Sequence, residues 1–407
     1  MSLSFQQGIL IIFPLVIMPY LLRVLGLSGF GVFTLIQTGI LYFDLLITFG
    51  FSLTATQHIA KATGDIANTQ KIIAAVYYIK SLLFAASCIA MLICLLFIPY
   101  LQQNILLIFF SAIYLLGNLL FPDWYFSGIQ QMKNCTLITL ISKFISLVLI
   151  IVLVRQQNDI SKAFFALAVG NLLAGCTGVI LLRNKIKFRF TLIDKKFIKE
   201  LFKESGYVFT SIILVPLYSS VNIFILQAFT NPLVVGSYSV AQKVFSAISM
   251  LASVINNTFF PYFSKLYTVS VSTYRKTLYS VLLLIGGVFL ILSVIQFFGA
   301  KLIIELLVGR NTGEDISYAI KILQIMSIAL FFSPFVAFFF QQMIIQQQQK
   351  ELIRNILFAI VVNLVSAIIL SYYFSGVGMA INAILVYIFI CYINGNAVNK
   401  KIKQPAT

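Results

Sequence analysis

Two stretches, Val24-Leu-Gly-Leu-Ser-Gly-Phe-Gly-Val-Phe-Thr-Leu-Ile-Gln37 and Phe229-Thr-Asn-Pro-Leu-Val-Val-Gly-Ser-Tyr-Ser-Val-Ala-Gln242, decide how the chain is read. Laid one on the other, Gly31 falls on Gly236, Phe33 on Tyr238 and Gln37 on Gln242, at a common offset of 205 residues. Each follows an apolar run that contains a proline, Pro14 in the first and Pro216 in the second, at an offset of 202. Further along, Gln130-Gln-Met-Lys133 matches Gln347-Gln-Gln-Lys350 at an offset of 217. Each match is weak, but they keep one order and similar offsets. That is the pattern of two parallel repeats, which set a pseudo-two-fold along the membrane normal and a substrate path where the halves meet.

The composition says what the repeats are made of. Of 407 residues 60% are hydrophobic and 10% charged, and the mean hydropathy is +1.01. A soluble domain has about 25% charged residues, so this chain cannot clothe a water-soluble globule. That excludes a soluble enzyme or nucleic-acid-binding domain, and the net charge of +17 reads as loops facing an anionic leaflet of membrane lipids. The cysteines Cys88, Cys94, Cys135, Cys176 and Cys391 lie in apolar runs without CxxC spacing, and His58 is the sole histidine. Neither a disulfide framework nor a metal centre is expected. No cofactor is expected either, since no phosphate-binding loop is present. The first apolar run lacks a basic leader and flows into further apolar sequence, so no cleavable signal peptide is read.

Apolar runs between polar or Pro/Gly punctuation predict twelve helices, at about 4–22, 31–54, 72–98, 104–127, 135–154, 160–182, 206–229, 233–260, 278–298, 318–343, 353–373 and 376–397. The expected fold is all-α and polytopic, with two parallel six-helix lobes around a central cavity. The expected division is a lobe over 1–182, a basic linker over 183–205, a second lobe over 206–398 and a tail over 399–407. Nineteen Lys and Arg fall in the even-numbered loops and the C-terminal tail, against five in the odd-numbered loops. Positive charge collects on the cytoplasmic side, which predicts both termini and the 183–205 linker in the cytoplasm.

Pro14-Leu-Val-Ile-Met-Pro-Tyr-Leu-Leu-Arg-Val-Leu-Gly-Leu-Ser-Gly-Phe-Gly31 resembles the opening signature of the bacterial polysaccharide-repeat-unit exporters, the O-antigen flippases of Wzx type. So do Phe49-Gly-Phe-Ser-Leu-Thr-Ala-Thr56, Pro122-Asp-Trp-Tyr-Phe-Ser-Gly128 with Met132-Lys133, the turn from Pro232 to Ser239, and the Gln-rich stretch around 346–349. The resemblance covers nearly the whole chain. It implies the multidrug/oligosaccharidyl-lipid/polysaccharide exporter superfamily. It also implies movement of an undecaprenyl-diphosphate-linked oligosaccharide from the cytoplasmic to the periplasmic leaflet of the inner membrane. The same reading leaves room for coupling to a proton or sodium ion and for contact with the polysaccharide polymerase machinery. In one respect the chain departs from the pattern of that family. Many members carry an acid just before the Phe-Gly pair, where this chain has Thr48, and its acid is Asp44.

Charges inside spans are rare and usually face a polar path. Here they are Asp44, Lys80, Asp123, Lys143, Lys243 and Lys321, with Arg23 at the outer end of the first span. The substrate-site candidates are Lys143, Lys243, Lys80, Arg23, Asp44 and Lys321, because a cationic lining suits an anionic diphosphate. Each has a plainer reading. Lys80 could snorkel to the interface, Arg23 could anchor its helix, and Lys321 could sit among headgroups with Glu314 and Asp315. Asp44 could be paired to a lysine, and Asp123 could fix the turn at 122–128. Pro14, Pro19 and Pro216 interrupt the helices that open each half and are hinge candidates, with a static kink as the alternative. The glutamines of 341–349 read as a polar loop.

Competing functions fare worse. A multidrug cation antiporter of the same fold would need acids in its cavity, and the lysines outnumber them. A membrane polymerase or ligase would need a large outer loop with catalytic groups. The longest outer loop, about 299–317, is short.

Overall fold

The computed structural model describes residues 2–97, 102, 104–186, 194–309 and 316–403. The side chain of Pro14 and the whole of Lys187, Arg189, Arg310, Glu314 and Asp315 lie outside the described residues. Among the described residues thirteen helices follow one another: α1 (Ser2–Thr48), α2 (Phe51–Lys61), α3 (Ile66–Phe97), α4 (Ile105–Leu120), α5 (Asp123–Gly128), α6 (Met132–Leu153), α7 (Ile160–Lys185), α8 (Lys195–Ser219), α9 (Asn222–Phe229), α10 (Pro232–Val269), α11 (Val271–Val308), α12 (Ser317–Ile345) and α13 (Gln349–Lys403). No strand occurs among the described residues. Nine helical stretches there are long and apolar enough to cross a membrane, and the chain is a multi-pass membrane protein. One of those stretches, Gln349–Ile402, takes in the two runs expected at 353–373 and 376–397, and another, Val16–Lys61, joins the end of the run expected at 4–22 to that expected at 31–54.

Single residues make the breaks. Within α1 the helical dihedrals fail at Gly26 (φ 72°, ψ 178°), between the runs expected at 4–22 and 31–54. Within α13 they fail at Ser375 (φ 53°, ψ −134°). Hydrogen bonds pair Asn355 with Asn394, Asn363 with Asn382 and Ser366 with Asn382. These pairs close in on Ser375 from both sides, so α13 doubles back there as a hairpin. The exit turn expected at 122–128 is helical instead. Pro122 blocks continuation of α4, and the chain restarts at Asp123, whose carboxylate accepts from the backbone N–H of Trp124.

Packing divides the chain into two compact units, one of Met1–Gly29 with Ile36–Pro216, the other of Phe30–Leu35 with Leu217–Thr407. Both are apolar outside. Along α11, Leu283, Leu284, Ile291, Ile295, Phe298, Leu302 and Leu306 are exposed while Leu278, Ile285, Phe289 and Ile304 are buried. A helix whose bare face is apolar at this spacing is turned to lipid.

In the first unit, α8 lies on α2 and α3. Phe49 and Gly50 form the turn between α1 and α2, both at positive φ. The Phe49 ring stacks on Phe202 and Phe209 at 4.7 and 5.0 Å. A Cβ on Gly50 would lie 2.9 Å from the Ser205 carbonyl oxygen, so the Phe-Gly pair is set by both turn and neighbour. Thr54 and Ser205 share a buried hydroxyl contact of 2.7 Å, and His58–Glu204 and Lys71–Asp194 pair at 2.8 and 3.0 Å. The Asp194 carboxyl is held below the usual carboxylate range by the Lys71 ammonium and two backbone N–H groups. At the far end of α8, Tyr42 donates to the Pro216 carbonyl at 2.8 Å, supplying a partner that the end of the helix lacks.

In the second unit, Gly31 meets the start of α10 so closely that a Cβ would come within 2.0 Å of the Pro232 carbonyl. The same Cβ would lie 2.7 Å from the backbone nitrogen of its repeat counterpart Gly236. The glutamines read as a polar loop do not all form one. Gln342 and Gln346 are buried and flank the Tyr274 hydroxyl at 2.8 and 3.1 Å, because a buried hydroxyl needs partners.

Candidate functional site

The first unit contains a polar pocket of about 260 Å³. Its walls come from α1 (Asp44, Thr48), α3 (Lys80), α4 (Tyr114, Asn118), α6 (Thr139, Ser142, Lys143) and α7 (Asn171, Ala174), closed by Phe121 and Asp123 ahead of and at the start of α5. Glycines bring α4 and α7 together behind it. A Cβ on Gly117 would be 2.5 Å from the Asn171 backbone, and one on Gly175 would be 2.4 Å from the Gly117 carbonyl oxygen. No side chain larger than hydrogen fits, so two backbones touch and the residues that follow Gly117 and Gly170 are thrust together.

Those residues are Asn118 and Asn171, and Asn118 is the hub. Its amide donates to the Asp44 carboxylate at 2.6 Å, its side-chain oxygen accepts from the Asn171 amide, and its backbone carbonyl accepts from Lys80 Nζ at 2.9 Å. The Asn171 amide also donates to the Tyr114 carbonyl at 2.9 Å. Lys80 is thus buried and committed to the protein, in a pocket that Asp44 and Asp123 also line. Lys143 differs. Its ammonium lies 5.3 Å from the centre of the Phe13 ring and 5.9 Å from that of Tyr114. Among the described residues no carboxylate is within ion-pairing distance of it. Ring faces attract a cation weakly and leave its N–H donors unspent.

The magnitudes favour a built site. A charged side chain at the centre of a spanning helix costs about 2.5–3.5 kcal/mol even on the lenient insertion scales. Four such groups packed in one unit would cost on the order of 10 kcal/mol facing lipid. A shared polar pocket removes most of that cost.

Of the residues expected from sequence, the structure brings Asp44, Lys80 and Lys143 together, with Asp123. Arg23, Lys243 and Lys321 do not line this pocket. Arg23 is exposed on α1, and Lys321 is exposed on the second turn of α12. Lys243, on α10 in the second unit, has its Nζ 5.7 Å from the Phe30 ring centre. Pro19 is half-buried in α1, and Pro216 lies within α8. Asn118, Asn171 and Tyr114 were missed, though both amides directly follow a glycine in an apolar run.

The helical architecture is shared with transporters of the MOP superfamily. It matches the inward-facing conformation of a multidrug resistance MATE family transporter with a TM-score of 0.65, covering 97% of this chain and 100% of that one at 13% identity. A MOP superfamily transporter from Pyrococcus furiosus, described as having a binding pocket of reverse polarity, matches with a TM-score of 0.56 over 99% and 95% of the two chains at 14% identity. At such identities the likeness is one of fold. The family is given by sequence: the model of the polysaccharide biosynthesis protein family matches residues 1–267, and the chain belongs to that family. Two relatives carry the name "Putative O-antigen transporter". The one from Shigella dysenteriae is 28% identical over 385 residues, 93% of this chain and 94% of its own. The one from Escherichia coli K12 is 29% identical over 329 residues, 80% of this chain and 77% of its own.

Proposed function

We propose that the chain is a flippase. It moves an undecaprenyl-diphosphate-linked repeat unit of O-antigen or a related polysaccharide from the cytoplasmic to the periplasmic leaflet of a bacterial inner membrane, by alternating access and without chemistry on the substrate. The observation that carries this is the polar pocket at Asp44, Lys80 and Lys143, inside a helical unit whose outer surface is apolar. A hydrated glycan cannot cross hydrocarbon unless its polar groups are satisfied, and such a lining satisfies them. The names of the relatives support a transport role on polysaccharide. Lys143 and Lys243, one in each unit, are the cations that meet the polar part of the substrate. A cation-for-drug antiporter is disfavoured by the sign of the intramembrane charges, four lysines against two aspartates.

The test is a surface glycan profile in cells deleted for the chain. Loss of long-chain polysaccharide with an intact lipid A core is expected, restored by the wild-type chain and not by the Lys143→Ala, Lys243→Ala double variant. Single Arg replacements should restore part of it. Normal polysaccharide from the double variant at normal protein level removes both lysines as substrate ligands.

A further inference from the structure

Resting on the flippase reading, we propose that the pocket of the first unit is a saccharide subsite that holds one uncharged sugar ring of the glycan, while the diphosphate is met elsewhere.

Charge balance argues this first. Two lysines and two aspartates line the pocket. A phosphate entering would face Asp44 and Asp123, and an inorganic cation would face Lys80 and Lys143. No cluster of three or more His, Cys, Asp or Glu able to hold a metal occurs among the described residues. A neutral polyhydroxyl group faces no such penalty, because every hydroxyl both donates and accepts.

The remaining valences fit as well. Asp123 and the second oxygen of Asp44 can accept from hydroxyls. Both amide N–H bonds of Asn171 are spent on Tyr114 and Asn118, so what its side chain offers a ligand is its oxygen, an acceptor. Lys143, held by ring faces, keeps its donors. Tyr114 adds an aromatic wall for the C–H face of a sugar. The size agrees too, since about 260 Å³ is just under the roughly 300–1,000 Å³ of pockets that take drug-sized ligands. The glycine contact between α4 and α7 fixes the wall in advance, which lowers the cost of binding.

The chain has one tryptophan, Trp124, which directly follows the pocket residue Asp123 and is buried in the apolar core of that unit, so binding is read both from its emission and as heat by isothermal titration calorimetry. The full-length protein in lipid nanodiscs is titrated separately with glucose, galactose, rhamnose, N-acetylglucosamine, glucuronate, inorganic diphosphate and sodium chloride. A saturable change with at least one neutral sugar is expected, weakened at least tenfold in Lys143→Met and in Asn171→Leu, and none with diphosphate or sodium. A response to diphosphate or sodium without any neutral sugar overturns the proposal. No response at all overturns it too, as does a sugar response unchanged in both variants. The flippase reading fails on different data: cells deleted for the chain would keep normal surface polysaccharide.

Discussion

Asn118 shows what one neutral residue does in a charged pocket. Its amide, its side-chain oxygen and its backbone carbonyl serve Asp44, Asn171 and Lys80 in turn. Replacing it by leucine keeps the volume and removes two of the three contacts, leaving a carboxylate and an amide short of partners. A buried group so orphaned costs about 1–3 kcal/mol. Asn118→Leu is therefore expected to lower the unfolding temperature of the detergent-solubilised protein, and an unchanged temperature would remove Asn118 as the hub. Sequence made the charges visible because a charge in an apolar run is rare. It could not show Asn118 or Asn171, because an amide there carries no such signal until the glycine beside it is seen to force two helices together. Nor could it separate Lys80 from Lys143, two lysines in similar runs. One is bonded to a carbonyl and the other is held by rings, a difference that arises only in packing.

Among the elements, the boundaries were legible where one residue breaks a helix. The gaps between runs at 22–31 and 373–376 bracket Gly26 and Ser375, since punctuation by small polar residues marks a backbone that leaves the helical region. The run expected at 104–127 was legible as helix but its division was not: Pro122 splits off Asp123–Gly128, and six residues carry too little periodicity to stand out as a helix of their own. The prolines bear a prediction at this scale. A helix opens at a proline without losing a further hydrogen bond, and Tyr42 already satisfies the Pro216 carbonyl. Replacing Pro14 and Pro19 together by alanine, or Pro216 alone, is expected to leave membrane abundance normal and to lower polysaccharide export. Abundance by immunoblot and export by glycan profile decide it. Normal export, or loss of the protein, would mean a static kink.

For the whole molecule the prediction is one of topology. The nineteen-to-five cation bias between alternate loops predicts residue 158 outside and residue 195 inside. Alkaline phosphatase and green fluorescent protein fused after Asn158 and after Lys195 should report opposite compartments, and a shared compartment ends the twelve-span topology. The two glycines that the sequence aligns, Gly31 and Gly236, do come together: a Cβ on Gly31 would lie 2.7 Å from the Gly236 backbone nitrogen. How the chain is shared out between its units was not legible, because that depends on which surfaces bury each other. Residues 30–35 pack with the second unit, and α8 as far as Pro216 packs with the first. Order of synthesis and order of packing therefore disagree. A ribosome must translate past residue 216 before the first unit has its last helix, and residues 30–35 enter the membrane long before the helices that cover them exist. The six residues 30–35 thus make the last step of packing wait for the second half of translation.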